Sequence, residues 1–225
     1  MSKIDELRLG FETAYIDGSV VSNNIYRPQF VSNNHKEGKK VLSSIEDELL
    51  VCDGFQISVA FITMNGITPL LQTLKELEKR NIKGEILTTN YLNFSEPKAL
   101  KKLNELSNIT LKMYDVVANE GFHTKGYIFR KEEIYHIIIG SSNITSAALT
   151  DNREWNTKLV STVHGETAKE IVTEFNELWN SNYALTFDEF YENYNERYKI
   201  IKHQREVAKQ EEITSIEKYK LQPNS

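Results

Sequence analysis

The sequence predicts an α/β fold in which a mixed β-sheet is flanked by helices, followed by a helical C-terminal extension. Between residues 39 and 115, helical and extended patterns alternate, which is typical of parallel strands joined by crossover helices. The segments "HTKGYIF" and "IYHIIIG" then follow each other with only "RKEE" between them. That spacing is too short for a crossover helix, so it predicts an antiparallel hairpin.

The first half of the predicted domain is read from its periodicity. Val41, Ile45 and Leu49 recur at helical spacing, and Ser95 followed by Pro97 is a typical helix start. Short apolar runs between the helices predict buried strands. The expected helices are "KKVLSSIEDELLVC", "ITPLLQTLKELEKR" and "SEPKALKKLNEL", and the expected strands are "FQISVAFIT", "KGEILTT" and "ITLKMYD".

The second half adds one strand and one long helix after the hairpin. "EWNTKLVSTV" predicts a third antiparallel strand, and "GETAKEIVTEFNELWNS" predicts a helix. Three segments follow from these patterns. Residues 1–38 are expected to be an irregular lead-in, residues 39–184 a folded domain, and residues 185–225 a polar helical extension that resembles a connector.

The composition limits the possible function classes. The chain has 225 residues, of which 40% are hydrophobic and 26% charged, as in ordinary globular proteins. A net charge of -5 means that any nucleic acid must be held by a local basic patch or by a further domain. The single cysteine, Cys52, favours a reducing cytoplasm and a buried thiol. No segment has the length and apolarity of a membrane span or a secretory signal, so no membrane partner is expected.

The hairpin brings several polar side chains together. His123 and Lys125 point to one face of their strand, about 6 to 7 Å apart. If Phe129 faces Ile134 across the turn, His123 lies opposite Gly140. The step after Gly140 supplies Ser141 and Asn143, and an antiparallel third strand returns Glu154 and Asn156 to the same end of the sheet.

These five candidate residues suit phosphate chemistry. Lysine, asparagine and serine donate to a phosphate oxyanion, histidine can act as a nucleophile or an acid, and a carboxylate can orient its ring. A lone His-x-Lys is usually a solvated strand face, and "GSSN" alone is usually a turn with a helix cap. Their combination in one register predicts a phosphate site. The candidate residues are His123, Lys125, Ser141, Asn143 and Glu154.

Other features of the sequence point to no further site. We found no metal-ligand spacing, no glycine-rich phosphate loop and no Gly-x-Ser-x-Gly elbow, so no cofactor or metal is expected. His136 is expected to be a packed or an edge histidine of its apolar strand, and Trp155 and Trp179 are expected in the core. Three histidines in polar surroundings are expected at the surface: His35, His164 and His203.

The combined motif resembles the phospholipase D superfamily in its compact nuclease branch. His123-x-Lys125, residues 140–143 ("GSSN") and Glu154 carry this resemblance. From about Lys39 to roughly residue 200, the chain is also similar to the phospholipase-D-like domain at the N-terminus of some bacterial superfamily-2 helicases of the restriction type (DEAD/DEAH). The fuller family signature has an aspartate five residues after the lysine, where this chain has Arg130, which favours the nuclease branch over lipid hydrolysis.

The resemblance implies a mechanism for each matching position. His123 would attack the phosphodiester to give a phosphohistidine, and a second histidine would protonate the leaving oxygen. Lys125 and Asn143, helped by Ser141, would hold the nonbridging oxygens, while Glu154 would steady the imidazole. Water would then release the product without a divalent cation.

The resemblance also implies partners. The chain contains one His-x-Lys motif, so a homodimer with a shared active site is expected. The extension over residues 185–225, ending in "EKYKLQPNS", resembles a linker toward a helicase motor that would bind ATP in a longer parent protein. The resemblance favours DNA over RNA as the substrate.

Two function classes stay open at this level. The first is a metal-independent nuclease, and the second is a catalytically weak or inactive module that binds phosphate or DNA, or that dimerises. Arg130 at the aspartate position favours the second. Lipid hydrolysis is a distant third, because no membrane-binding amphipathic stretch is present.

Overall fold

Eight strands and seven α-helices form the part of the chain that the structure describes. The computed structural model describes residues 1–116 and 121–220, the last nine of these through their backbone alone. The strands are β1 (Gln29–Val31), β2 (Gly54–Val59), β3 (Gly84–Thr89), β4 (Ile109–Tyr114), β5 (Lys125–Lys131), β6 (Ile134–Gly140), β7 (Asn156–Thr162) and β8 (Ala184–Thr186). The helices are α1 (Lys3–Tyr15), α2 (Val41–Val51), α3 (Met64–Ile67), α4 (Leu71–Lys79), α5 (Pro97–Asn104), α6 (Glu166–Trp179) and α7 (Phe187–Lys220).

The strands form one mixed sheet in the order β1-β7-β6-β5-β2-β3-β4-β8. Strands β2, β3 and β4 are parallel to one another. Strands β5, β6, β7 and β1 continue the sheet in antiparallel steps, and β8 is antiparallel to β4 at the other edge. The predicted fold class, a mixed sheet flanked by helices, is confirmed.

The sheet separates two apolar layers. Helices α2, α4, α5 and α7 cover one face, and α6 covers the other. Successive side chains of a strand point to opposite faces of the sheet. In β5, Tyr127 and Phe129 therefore pack into the first layer and Ile128 into the second. Trp179 of α6 is buried, as expected, and stacks on Phe175.

The expectation of an irregular lead-in over residues 1–38 is wrong for two segments. Helix α1 begins at a capping box in which Ser2 and Asp5 satisfy each other's backbone amides. Strand β1 pairs with β7 and forms an edge of the sheet. A three-residue strand is too short to show a period in the sequence. Its stability comes from pairing with residues more than a hundred positions away.

The helical extension after residue 184 is confirmed as a helix, but its first turns are core rather than connector. Phe190 and Tyr194 of α7 are each 4% exposed and belong to the larger apolar layer. Residues 221–225, the end of the predicted linker toward a helicase motor, lie outside the described residues. Among the helices that are described, none is both long and apolar enough to cross a membrane.

The hairpin forms as predicted, but its register differs by two residues. Phe129 pairs with His136 rather than Ile134, and Gly126 pairs with Ile139. The chain turns within Glu132 and Glu133, where Glu132 has a φ of 53°. The connecting turn is therefore shorter than "RKEE". A shift of two residues leaves each side chain on its expected face, so the clustering of polar residues survives.

Candidate active site

All five candidate residues lie at one end of the strands, which is called here the carboxyl edge of the sheet. The carboxyl ends of parallel strands β2, β3 and β4 meet there, and ligands in α/β sheets bind outside such ends. The antiparallel strands bring the start of β5, the end of β6 and the start of β7 to the same edge. Continuing the β5–β6 register sets Lys125 opposite Gly140.

His123 and Lys125 are in direct contact. His123 precedes β5 and is exposed, whereas Lys125 begins the strand and is 7% exposed. Lys125 Nζ lies 2.8 Å from His123 Nδ1 and donates to the His123 carbonyl oxygen at 2.7 Å. Because an ammonium group can only donate, Nδ1 accepts this bond.

The environment of this pair favours a neutral imidazole. Partial desolvation of the largely exposed ring and then the positive charge of Lys125 lower the pKa of His123. Burial also lowers the pKa of Lys125, and the negative charge of Glu154 opposes that effect. At neutral pH the His123 ring therefore keeps a nitrogen lone pair that can attack an electrophile.

Ser141 and Glu154 form a second pair. The Ser141 hydroxyl donates to the Glu154 carboxylate and accepts from the Trp155 backbone N–H at 3.1 Å. Gly140 permits this approach, because a Cβ there would collide with the Trp155 carbonyl oxygen. The resemblance implied that Glu154 steadies His123, whereas among the described residues the hydrogen bond of its carboxylate is with Ser141.

Asn143 joins the site to strand β2. Its Oδ1 accepts from the Phe61 backbone N–H at 3.0 Å, so its amide nitrogen is the group that can donate to a ligand. The structure thus brings the predicted residues together as two bonded pairs at one edge, with Asn143 anchored beside them.

Two supporting residues were not identified as such from the sequence. The Asn156 amide is 3% exposed and donates to the Val31 carbonyl and to Ser142 Oγ. The Tyr127 hydroxyl donates to the Ser142 carbonyl at 2.9 Å. Both residues hold the turn that carries Ser141 and Asn143. A tyrosine inside an apolar strand was the available signal, since a buried hydroxyl requires a partner.

Aromatic rings flank His123 and were also missed. The Phe61 and Tyr91 ring centroids lie 6.2 and 6.3 Å from that of His123, both nearly perpendicular to it. Phe61 follows β2 and Tyr91 follows β3, so both occupy the same carboxyl edge as the predicted site. A single aromatic residue after a strand carries no functional signal in a sequence.

The remaining histidines lie where they were expected. His136 is 5% exposed, and its Nδ1 lies 2.6 Å from the Glu48 carboxylate. His35, His164 and His203 are exposed. Within the described ranges, no group of three or more histidine, cysteine or acidic side chains is arranged to hold a metal ion.

Two other residues lie away from their expected or implied surroundings. The expectation that Trp155 is a core residue is wrong, because it is 75% exposed and packs edge-on against Phe30. It immediately precedes β7, outside the apolar layers of the sheet. Arg130 is exposed near the far end of β5, roughly 17 Å along the strand from Lys125, and so lies outside the site.

Comparisons with known proteins show which folds this fold is similar to. The fold is similar to that of NucT from Helicobacter pylori, with a TM-score of 0.56, 16% identity, and coverage of 72% of this chain and 99% of that one. It is also similar to Nuc, a phospholipase D family member from Salmonella typhimurium, with a TM-score of 0.55, 17% identity, and coverage of 71% and 98%. The phosphatidylserine synthase of Haemophilus influenzae matches with a TM-score of 0.53 and 12% identity, over 83% of this chain and 46% of that one.

No curated protein shows significant similarity to the chain in sequence. A family model described as "Cardiolipin synthase, PLD-like domain" matches residues 53–179, more than half of the sequence. The matched region contains all five predicted site residues and runs from the start of β2 to the end of α6. The chain therefore belongs to the phospholipase-D-like domain family.

Proposed function

We propose that the protein is a metal-independent phosphodiesterase that cleaves nucleic acid, DNA rather than RNA, through a phosphohistidine intermediate. One observation carries this proposal: Lys125 Nζ contacts His123 Nδ1 at 2.8 Å on the carboxyl edge of the sheet. In the proposed complex Lys125 is the cation that binds a phosphate oxygen. Its positive charge also lowers the pKa of His123, which favours a neutral imidazole.

In the first step, a nitrogen lone pair of His123 attacks the phosphorus and forms a P–N bond. The bond from phosphorus to the leaving oxygen breaks, and a second histidine donates a proton to that oxygen. Lys125 and Asn143 donate to the nonbridging oxygens, whose negative charge increases in the transition state. Lys125 exchanges its bond to Nδ1 for a bond to phosphate as the substrate binds.

In the second step, water attacks the phosphorus, the P–N bond breaks, and the imidazole is restored. The histidine that protonated the leaving group now accepts the proton of the attacking water, which balances the cycle. Glu154 assists both steps without touching the substrate, because its carboxylate orients the Ser141 hydroxyl and its charge attracts Lys125. Glu154 is therefore proposed as a positioning residue.

The second histidine is proposed to come from a second copy of the chain. The sequence contains one His-x-Lys motif. The buried His136 is not available as the second histidine, because its Nδ1 contacts the Glu48 carboxylate between β6 and α2. A two-fold axis beside His123 would bring two equivalent imidazoles together. A neutral ring would serve as the nucleophile and a protonated ring as the acid.

A parent protein with a helicase motor is proposed from the sequence resemblance alone. A net charge of -5 gives the chain little general attraction for a polyanion. A motor domain joined after α7 would supply the missing DNA affinity. Comparing DNA binding of this chain with that of a chain extended into such a motor tests this step, and equal affinities would contradict it.

A non-catalytic phosphate- or DNA-binding module is the second candidate. It is favoured by the contact of Glu154, which is with Ser141 rather than with the imidazole. A module of this kind would bind a DNA end or phosphate at Lys125 without forming a bond to His123. The two candidates differ in one product, the covalent phosphohistidine.

The test is cleavage of labelled single-stranded and duplex DNA in excess chelator by the native protein, His123→Ala and the control His35→Ala, which changes an exposed histidine. We expect His123→Ala to lose at least about 10³-fold in rate, as removal of a nucleophile does, and His35→Ala to match the native protein. Mass spectrometry of a quenched reaction should find a phosphorus adduct on His123. Equal cleavage by all three proteins would reject the hydrolase, and phosphate-dependent binding without an adduct would favour the module.

A further inference from the structure

We propose that Phe94, together with Phe61 and Tyr91, forms a nucleobase-stacking subsite beside His123, which makes single-stranded nucleic acid the preferred substrate. This inference rests on the proposed function, because it names the substrate class of the same site. It is argued from a ring cluster, a strained loop and the helix that holds that loop.

The three rings and the His123 imidazole form a row of neighbouring rings, in the order Phe94, Phe61, His123 and Tyr91, called here the aromatic wall. Phe61 and Tyr91 each contact His123 edge-on, and the Phe61 and Phe94 centroids are 5.0 Å apart at an angle of 75°. Phe94 is 43% exposed, although it belongs to a cluster whose other members are partly covered. An exposed ring one neighbour away from His123 offers apolar surface to a group attached to the reacting phosphate.

The loop that presents Phe94 is strained. Its central residues, Leu92 and Asn93, have φ values of 54° and 47°, in the left-handed region. Asparagine adopts that region more readily than most residues, but a leucine there is rare and strained. Asn93 is 5% exposed, and its Oδ1 has no hydrogen-bond donor among the described residues. Strain of this kind persists only where surrounding contacts enforce it, and it concentrates at ligand sites.

Helix α7 supplies the contacts that enforce the loop. The Arg205 guanidinium donates to the carbonyl oxygens of Leu92 and Asn93, and its Cζ lies 4.1 Å from the centroid of the Phe94 ring. The Tyr194 hydroxyl donates to the Ser95 carbonyl at 2.7 Å. Three carbonyls around Phe94 are thus fixed by one helix, which also brings a positive charge to the wall.

An aromatic ring beside an arginine is the arrangement that binds single-stranded nucleic acid with little sequence preference. A base can lie on such a ring only when it is free of its own stack, so duplex DNA would have to be opened first. A nucleotide whose phosphate lies between His123 and Lys125 can place its base against Phe61 or Phe94. The wall therefore selects for unpaired bases, while Lys125 selects for the phosphate.

The test measures binding rather than cleavage, so that it stands apart from the proposed reaction. In the His123→Ala background of the 225-residue chain, fluorescence anisotropy compares three probes in chelator: a labelled dT oligonucleotide, its abasic equivalent and a duplex. Phe94→Ala is expected to weaken dT binding by about 5- to 150-fold, the range for loss of one base–aromatic stack. Its effect on the abasic and duplex probes should be less than about twofold by the same argument.

Two variants control the measurement. Phe11→Ala removes another exposed ring, on α1, that is 54% exposed, and it should leave all three affinities unchanged. Phe94→Trp should retain dT binding, and dT should quench its added fluorescence while the abasic probe does not. Thermal unfolding of each variant checks that the fold is intact.

The outcomes separate the two proposals. Equal dT affinities for Phe94→Ala and its parent, or equal losses for dT and the abasic probe, would overturn the stacking subsite. If native protein binds dT through Phe94 but never cleaves it, the subsite stands and the hydrolase fails. Arg205→Lys keeps the positive charge but loses the hydrogen bonds to the two loop carbonyls. It should therefore reduce the preference for dT over the duplex. An unchanged preference would show that α7 does not contribute to the subsite.

Discussion

Lys125 Nζ lies 2.8 Å from Nδ1 of His123, so the cation proposed to bind phosphate also controls the charge of the proposed nucleophile. Burial and the Lys125 charge both lower the pKa of His123, so the acid limb of activity should lie below the ordinary imidazole value of about 6.5. Replacing Lys125 by Gln removes the repulsion and leaves the burial. The pKa of His123 and the acid limb should then move to higher pH.

The pH profile of kcat/KM measures this shift, and NMR titration of the His123 imidazole measures it even if Lys125→Gln is inactive. We also expect the variant to lose about 10²–10³-fold in kcat, as for removal of one oxyanion donor. Lys36→Gln, at an exposed position, is the matched control and should leave the profile in place. A movement of the His123 titration to lower pH in Lys125→Gln would contradict the assignment.

Gly140 should be intolerant of any side chain. In Gly140→Ala the new methyl group meets the Trp155 carbonyl and the Asn156 side chain, which should cost about 1–3 kcal/mol of unfolding free energy, as overpacking does. The start of β7 would be displaced, and with it the Ser141–Glu154 bond. Chemical denaturation and the cleavage assay should therefore both report a loss.

Gly126→Ala is the control for this substitution, since it lies on the neighbouring strand with no atom within 4 Å of an added Cβ. Its unfolding free energy should stay within about 1 kcal/mol of the native value. If the two alanine variants were equally stable, the close approach of β6 and β7 would not explain the glycine.

Glu48 should be essential for stability rather than for catalysis. Its buried carboxylate lies 2.6 Å from His136 Nδ1 and 3.2 Å from Lys158 Nζ. Glu48→Gln leaves Lys158, which is 8% exposed, without its counter-charge, and should cost about 3–5 kcal/mol. Asp47→Asn, on an exposed face of the same helix, should change the unfolding free energy by less than about 0.5 kcal/mol.

The contribution of Glu48 should depend on pH. Burial opposes ionisation, but His136 and Lys158 together lower the pKa of Glu48 below its ordinary value. Its stabilising effect is therefore present above the unfolded pKa, about 4.3, and is lost as the pH falls through the lower folded value. The difference in unfolding free energy between native protein and Glu48→Gln should shrink in acid, and a difference that grows would reverse the sign.

The protein should be a dimer when active. Sedimentation at assay concentrations should give about twice the 26.0 kDa of one chain. With excess His123→Ala protein, activity per native chain should fall as native chains pair with the variant, because a mixed pair lacks one imidazole. An active monomer would exclude the shared site. So would an activity per native chain that stays unchanged after subunit exchange with the variant.

The sequence by itself determined the fold class, most helices and strands, the hairpin and the set of five candidate residues. These follow from local signals, such as helical spacing in α2 and a linker too short for a crossover. Tertiary structure alone decided the two-residue register shift of the hairpin, the β1–β7 pairing, the exposure of Trp155 and the bond between Ser141 and Glu154. Only the tertiary structure shows that Tyr194 and Arg205 of α7 donate hydrogen bonds to the loop that carries Phe94. Each of these depends on contacts between residues distant in sequence, whose geometry is fixed by packing rather than by the pattern of neighbouring residues.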